Sequence, residues 1–404
     1  MIWSISWRNV WRNKKRSGII MCAVAFGLWA GLLTSAVMYG MNEQMVSSAI
    51  ESRISHIQIH QKGFRDFKEI DLHIPDNESI IEKIRNNDDI EFVTARSVLK
   101  GMASSPIAGR GIEIYGINPD EEKHVTTIYK KIIEGEYFGT KYRNQIVIGQ
   151  ELAEKLNVKA GKKIVLTAQS ADGDISAGAY RVVGIFKTAS SAFDKTTVFG
   201  LHKDIDKVFG LGGAIYEISI NAKDINKIDE LTASMKDDYP ALDVASWKQL
   251  EPEMGMMTDM TNQFLFIFMV IILIALAFGI TNTMLMGVIE RVREFGVIIA
   301  LGMKHGKIFN MILLETIFLS VIGGLVGIIF SILTVKILSN TGIDLTIVST
   351  GLAAFGIDKI IYPVLPIATY PVIGLLTVFT AIISAIYPGV KAVRLNPVTA
   401  IRTY

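Results

Sequence analysis

Four apolar runs dominate this sequence, at residues 18–41, 263–289, 308–338 and 369–390. A helix rising about 1.5 Å per residue needs about 20 residues to cross a hydrocarbon core about 30 Å thick. The first three runs exceed that length. The fourth is shorter in its unbroken part, Tyr370–Tyr387, and Val390 extends it past Pro388. The chain therefore reads as a membrane α-helical protein with four spans and one long interruption, 42–262, between the first two. Only Glu315 and Lys336 carry charge inside the spans, near opposite ends of the third, where both are placed to snorkel toward headgroups.

Composition agrees with that reading. Half of the 404 residues are hydrophobic and 20% are charged, which excludes a disordered or disulfide-stapled chain. The single cysteine, Cys22, excludes an intrachain disulfide and a cysteine-based metal site. The first run is longer than a signal-peptide core of about 7–15 residues, and Thr34-Ser35-Ala36 is a poor cleavage site, so it reads as a retained span.

Charge sets the expected orientation. Arg8, Arg12, Lys14, Lys15 and Arg16 precede the first span, and Arg291, Arg293, Lys304 and Lys307 separate the second from the third. Lys391, Arg394 and Arg402 follow the fourth, whereas between spans three and four Lys359 faces Asp344 and Asp358. By the positive-inside rule both termini (1–17 and 391–404) and the 290–307 loop are cytoplasmic. Segments 42–262 and 339–368 are then outside. Acidic residues outnumber basic ones in 42–262, so no nucleic-acid footprint is present.

Segment 42–262 has the pattern of a folded α+β domain. Ile54–His60 alternates like a strand, Glu78–Arg85 has helical spacing, and Glu91–Leu99 is strand-like again. The same β-α-β pattern recurs at Ala214–Ile220, Asp224–Met235 and Leu242–Ser246. Between them lie strand-like Gly111–Ile117, Gln145–Gly149, Lys163–Ala168 and Tyr180–Thr188, with a short helix at Glu151–Leu156. The simplest topology is one lobe of two β-α-β halves, with a mostly-β lobe inserted at about 102–210. Helical spacing continues past Gly40 through Val46, Ala49, Ile50 and Ile54, and precedes Phe264 through Met254, Met257 and Thr261. Spans one and two can therefore extend as a stalk, with Met254, Met256, Met257 and Met260 on its far end.

Catalytic motifs do not emerge. No G-x-x-x-x-G-K-[ST] or G-x-S-x-G occurs. Of the six histidines, His56 and His60 form an i,i+4 pair with no acid spaced to complete a zinc set. Neither a catalytic centre nor a bound cofactor is expected in this chain.

The cytoplasmic stretch Glu290–Phe309 (ERVREFGVIIALGMKHGKIF) is the most informative. With Trp7–Arg16 (WRNVWRNKKR), Pro388–Arg402 (PGVKAVRLNPVTAIR), and the exterior IVIGQELA at 146–153 followed by VGIF at 183–186, it resembles the permeases of MacB/FtsX-type (type VII) ABC transporters, the lipoprotein-releasing LolC/LolE branch included. Arg291, Arg293, Glu294, Gly296, Ala300, Leu301 and Gly302 match the family's loop pattern, and Glu315 matches an acidic residue common early in span three.

The residues give that loop a physical reading of their own. Arg291 and Glu294 are i,i+3 neighbours, Phe295, Ile298 and Ile299 make an apolar face, and Gly302 is suited to end the helix. Such a helix can dock on a cytoplasmic partner or lie on headgroups. Gly27 with Gly31, and Gly323 with Gly327, permit close helix approach, either within the chain or at a subunit interface.

The resemblance implies a bacterial inner-membrane permease subunit. Its partners would be a separate ABC ATP-binding subunit, which holds ATP and Mg, and a second permease, identical or paralogous. ATP hydrolysis would drive mechanotransmission through the 290–303 helix and the stalk to move an amphiphile, foremost a lipoprotein. Thr167–Tyr180 reads as a long hairpin loop in the region where LolC-like permeases capture a periplasmic carrier. The open alternatives are an FtsX-like regulator of an envelope hydrolase, a MacB-like efflux permease, and a sensor without an ATPase.

Overall fold

The computed structural model describes residues 2–354 and 356–394. The chain forms two compact units. One comprises Met1–Asn42, Asp259–Asp344 and Ile360–Tyr404, and the other Glu43–Thr258 with Leu345–Lys359. Within the cytoplasmic C-terminal motif proposed from sequence, residues 395–402 lie outside the described residues.

The membrane unit is built on helices α1 (Ile2–Arg12), α2 (Lys14–Ala49), α3 (Pro252–Glu290), α4 (Val292–Ala300), α5 (His305–Thr341) and α6 (Thr369–Val393). Four of them, α2, α3, α5 and α6, are long and apolar enough to cross a membrane. Their shared core contains Leu28, Leu32, Leu273, Ile280, Met284, Ile312, Leu319 and Ile373. Both α2 and α3 overrun their apolar stretches: α2 continues into a π-helical turn at Ile50–Ile54, and α3 is unbroken from Pro252.

Pro388 lies inside α6. Proline has no N–H, so the carbonyl four residues back loses its helical donor. Here that carbonyl, of Ser384, accepts a 3.1 Å hydrogen bond from Thr281 Oγ1 on α3. A neighbouring hydroxyl thus satisfies a backbone group for which a bilayer offers no water.

The other unit is α+β. Its strands are β1 (Ile57–Gln61), β2 (Ile90–Ser104), β3 (Gly109–Ile117), β4 (Ile132–Gly135), β5 (Gln145–Gly149), β6 (Lys163–Gln169), β7 (Ile175–Phe186), β8 (Thr197–Leu201), β9 (Glu217–Ala222) and β10 (Leu242–Ser246). Strand order β10-β1-β9-β2 is antiparallel throughout. The two β-α-β halves read from sequence therefore interleave in the split arrangement of ferredoxin-like folds. Helices Asn77–Arg85 and Ile228–Asp238 serve the two halves, packing Ile84, Ile228, Leu231 and Met235 into a core with Ile59, Ile218 and Val244.

Strand β2 is long enough to serve two sheets. Its first half pairs with β9; its second half pairs with β3 on one edge and β6 on the other. Pairings then run β3–β8, β8–β5, β5–β7 and β7–β6, returning to β2 and closing a six-stranded barrel, with β4 added on β7. Closure removes the exposed edges that an open sheet would carry.

The expected long loop at 167–180 is instead mostly strand. β6 and β7 pair from Gln169↔Ile175 outward, and only residues 170–174 turn, with Ser170 N–H donating to Asp174 O at 2.8 Å. Ala177 and Ala179 alternate outward with Gly178 and Tyr180, so small side chains there are strand spacing rather than loop composition. Sequence spacing also missed β4 and β8, both of only four or five residues.

Candidate functional site

The connection between α3 and α5 carries the residues singled out above. Arg291 alone breaks the helix between α3 and α4, at φ −108°, ψ 13°, so the loop helix starts afresh at Val292. At the far end Gly302 takes φ +92°, a conformation that costs glycine least, and its N–H donates to Ile299 O at 2.9 Å to close α4.

Burial divides the expected docking residues in two. Phe295 is 1% exposed and packs with Val10, Ile308, Met311 and Ile312, and Gly296 is buried beside it. Ile299 packs on the same core. The apolar face assigned to a partner is thus turned into the protein's own membrane unit, because a nine-residue helix buries its widest apolar stripe first. The outward face is Arg293, Glu294, Val297, Ala300, Leu301 and Gly302, with Leu301 83% exposed. Positions 293, 297 and 301 form one i,i+4,i+8 row.

A chain of five charges fixes the helix. Glu315, 1% exposed, receives Arg16 Nη2 at 2.5 Å and Arg291 Nη1 at 3.0 Å. Arg291 Nε then donates to Glu294 Oε2 at 3.1 Å, and Arg12 Nη2 reaches the same oxygen at 2.5 Å. The network joins α5, the start of α2, the α3–α4 joint, α4 and the end of α1. Glu315 therefore does not snorkel: in a low-dielectric interior, pairing with two guanidinium groups stabilises the carboxylate where hydration cannot. Desolvation at Glu294 opposes ionisation, but hydrogen bonds from Arg12 and Arg291, with their charges, outweigh it and hold the carboxyl below its ordinary range.

Sequence reasoning did not find Arg16 or Gly287 as members of this site. A Cβ on Gly287 would lie 2.2 Å from Arg16 Nη1, so glycine leaves the path by which the guanidinium crosses α3 to Glu315. A lone carboxylate inside a span, with arginines placed just before the first span and just after the second, was the available signal.

The four packing glycines all meet this chain's own helices. A Cβ at Gly27 or Gly31 would strike Leu276 or Ile272 of α3, at 2.9 and 2.6 Å. At Gly323 or Gly327 it would strike backbone of α2, Met21 O at 2.8 Å and Ala25 O at 2.6 Å. Each of the four thus packs against a neighbouring helix of its own chain. Beside Gly27 and Gly31, α2 and α3 enclose an apolar groove of about 470 Å³ lined by Phe26, Phe268 and Ala275.

In the α+β unit the chemistry is structural. Arg96 is buried between Glu122 (Nη2–Oε1 2.7 Å) and Glu217 (Nη1–Oε1 2.5 Å), and His60 Nδ1 lies 2.9 Å from Tyr216 O. His56 precedes β1, and its Nδ1 accepts from Ala222 N–H at 2.9 Å. Among the described residues, no group of three or more His, Cys, Asp or Glu could hold a metal ion.

Four spans, an α+β unit between the first two and a two-faced helix after the second are the layout of an ABC transporter permease. Residues 17–238 match the MacB-like periplasmic core domain and 266–397 the FtsX-like permease C-terminal model. The chain belongs to the MacB/FtsX family of ABC transporter permeases. It is 22% identical to the lipoprotein-releasing system transmembrane protein LolC of Neisseria meningitidis, over 80% of this chain and 79% of that protein. It is 23% identical to the uncharacterized ABC transporter permease YvrN of Bacillus subtilis, over 98% of both. Against the macrolide export ATP-binding/permease protein MacB of Agrobacterium fabrum it is 23% identical over 80% of its length, and spans about half (51%) of that relative. Among solved structures, the extracellular domain of the noncanonic ABC-type transporter YknZ from Gram-positive bacteria matches with TM-score 0.33 and 15% identity, covering 47% of this chain and 99% of that one.

Proposed function

We propose that this chain is the permease subunit of a transporter whose ATP-binding subunit is a separate protein that docks on the outward row of α4, Arg293–Val297–Leu301. The observation that carries this is the division of α4. One face is locked into the membrane unit by Phe295 and the five-charge chain, while the other presents an exposed leucine beside charges. A helix held so firmly passes displacement on to α3 and α5 instead of absorbing it. The ATP and Mg belong to the partner. In this reading the chain lies in a bacterial inner membrane with both termini and α4 cytoplasmic, as the distribution of Arg and Lys favours. A second permease, identical or paralogous, completes the assembly.

The cargo is an amphiphile, foremost a lipoprotein released from the membrane, with or without a periplasmic carrier. The apolar character of the α2–α3 groove supports an amphiphile over a polar solute. A MacB-like efflux role is the second reading, favoured by the relatives named for macrolide export. The test is reconstitution with the ATP-binding subunit that co-purifies, comparing wild type with Leu301→Asp. The expected result is loss of permease-stimulated ATP hydrolysis with the permease still folded; unchanged stimulation would reject the docking row. Mass spectrometry of bound acylated protein against small amphiphiles separates the two cargo readings.

A further inference from the structure

Helix α1 has three distinct faces. Ser6, Asn9 and Val10 are buried, with Ser6 Oγ donating to Met311 O on α5 at 3.2 Å. Trp3, Trp7 and Trp11 form an i,i+4,i+8 row that is 67, 45 and 46% exposed. Ser4, Arg8 and Arg12 form a third row beside it, and Lys14 and Lys15 follow directly. No acidic residue occurs in 2–42.

The row of tryptophans adjoins the lipid-facing side of the bundle. Trp3 and Trp7 pack edge-on against Phe318 of α5, with ring centroids 5.6 and 5.5 Å apart. From Phe318 the same side of α5 continues through exposed Leu325 and Ile329. Counted back from exposed Lys336, about 20 residues of α5 rise about 30 Å, the thickness of the hydrocarbon core, and reach Thr316. Phe318 therefore stands at one boundary of that core, and so do the tryptophans against it. Indole rings favour that level, with an apolar body toward lipid and an N–H toward headgroups.

We propose that α1 is an interfacial helix that binds anionic phospholipid, with Trp3, Trp7 and Trp11 inserted at the boundary and Arg8, Lys14 and Lys15 on the headgroups. Charge complementarity selects the lipid: Arg12 is committed to Glu294, whereas Arg8, Lys14 and Lys15 are exposed and make no ion pair among the described residues. A basic residue near an anionic surface contributes about 1 kcal/mol, or roughly fivefold in local lipid preference. Because Arg12 ties α1 to α4, the bound lipid also positions α4. The lipid-binding proposal itself does not depend on the proposed ATPase docking.

The test uses the full chain in nanodiscs with Trp29→Phe and Trp247→Phe, which leaves the three α1 tryptophans as the fluorophores. Nitroxide placed shallow on the acyl chain should quench them more than nitroxide near the bilayer centre. Shallow-labelled phosphatidylglycerol should quench more than equally labelled phosphatidylcholine at the same mole fraction. Replacing Arg8, Lys14 and Lys15 by glutamine should abolish that preference while leaving depth-dependent quenching. These substitutions lie on exposed positions, and circular dichroism checks the fold. Absence of quenching, as when a second copy or an ATP-binding subunit covers the row, overturns the proposal. Equal quenching by the two lipids, or a preference that survives the triple substitution, overturns it as well.

Discussion

Glu315 is the residue on which the membrane unit's electrostatics turn. Removing one partner of a buried ion pair leaves an uncompensated charge and costs on the order of 3–5 kcal/mol. Glu315→Leu strips the anion from Arg16, which has no other carboxylate partner among the described residues, while Arg291 keeps Glu294. Arg16→Met leaves Glu315 one guanidinium. Thermal unfolding of the purified permease should therefore rank Glu315→Leu below Arg16→Met, and both below wild type; equal melting of all three would refute the buried network. Thr281 gives a second test. Thr281→Val leaves Ser384 O without its donor and should cost roughly 1–3 kcal/mol, whereas Thr281→Ser should restore most of it. Sequence alone identified Glu315 as the odd charge in span three but assigned it to the headgroups, because spacing along one helix says nothing about a guanidinium arriving from another. Pro388 was legible as a tolerated proline; the hydroxyl that makes it tolerable was not.

At the scale of elements, α4 shows what periodicity can and cannot tell. Its Gly302 stop and the Arg291–Glu294 pair follow from spacing, whereas the helix itself is shorter than the expected 290–303, at Val292–Ala300, and an amphipathic pattern does not say which partner takes the apolar face. Phe295→Ala should lower the stability of the membrane unit by about 3–5 kcal/mol, read by denaturation, while Leu301→Asp should leave it unchanged. The opposite order would mean that the two faces have been exchanged. Helix α3 carries a different load. Its unbroken run over Pro252–Glu290 makes it a continuous rod, and Thr261→Pro would remove a backbone donor and cost about 3 kcal/mol or more. Export should fail in that variant while ATP hydrolysis by the assembled complex persists; normal export would remove α3 from the transmission path. The strands of the split β-α-β lobe were legible because apolar residues alternate with polar ones in them, as Ile57 and Ile59 do in β1 and Leu242 and Val244 in β10. Small outward residues hid the start of β7, and the sequence reading passed over β4 and β8, of four and five residues.

At the scale of the whole molecule, the fold class was readable from hydropathy and from the repeated β-α-β pattern, while barrel closure depends on β6 reaching β2 across many residues and leaves no local trace. The α+β unit also has a pH response of its own. Burial at Asp194 outweighs the hydrogen bonds from Thr188 and pushes its carboxyl up to about 6. A carboxyl raised by folding contributes stability that is fully present below its unfolded pKa, near 4, and is lost as pH rises through about 6. Asp194→Asn should therefore flatten the stability of this unit between about pH 4 and 7, measured by unfolding midpoints across that range; an unchanged slope would exclude Asp194 as its source.

The central claim is that α4 offers one face to its own membrane unit and the other to a separate ATP-binding subunit. A photo-crosslinking amino acid placed in turn at Leu301 and at Phe295, in cells that express the permease with its ATP-binding subunit, tests it most directly. The account predicts an intermolecular crosslink to that subunit from position 301 and only intrachain products from position 295. Crosslinking to the subunit from 295, or none from 301 in an assembled complex, would contradict it.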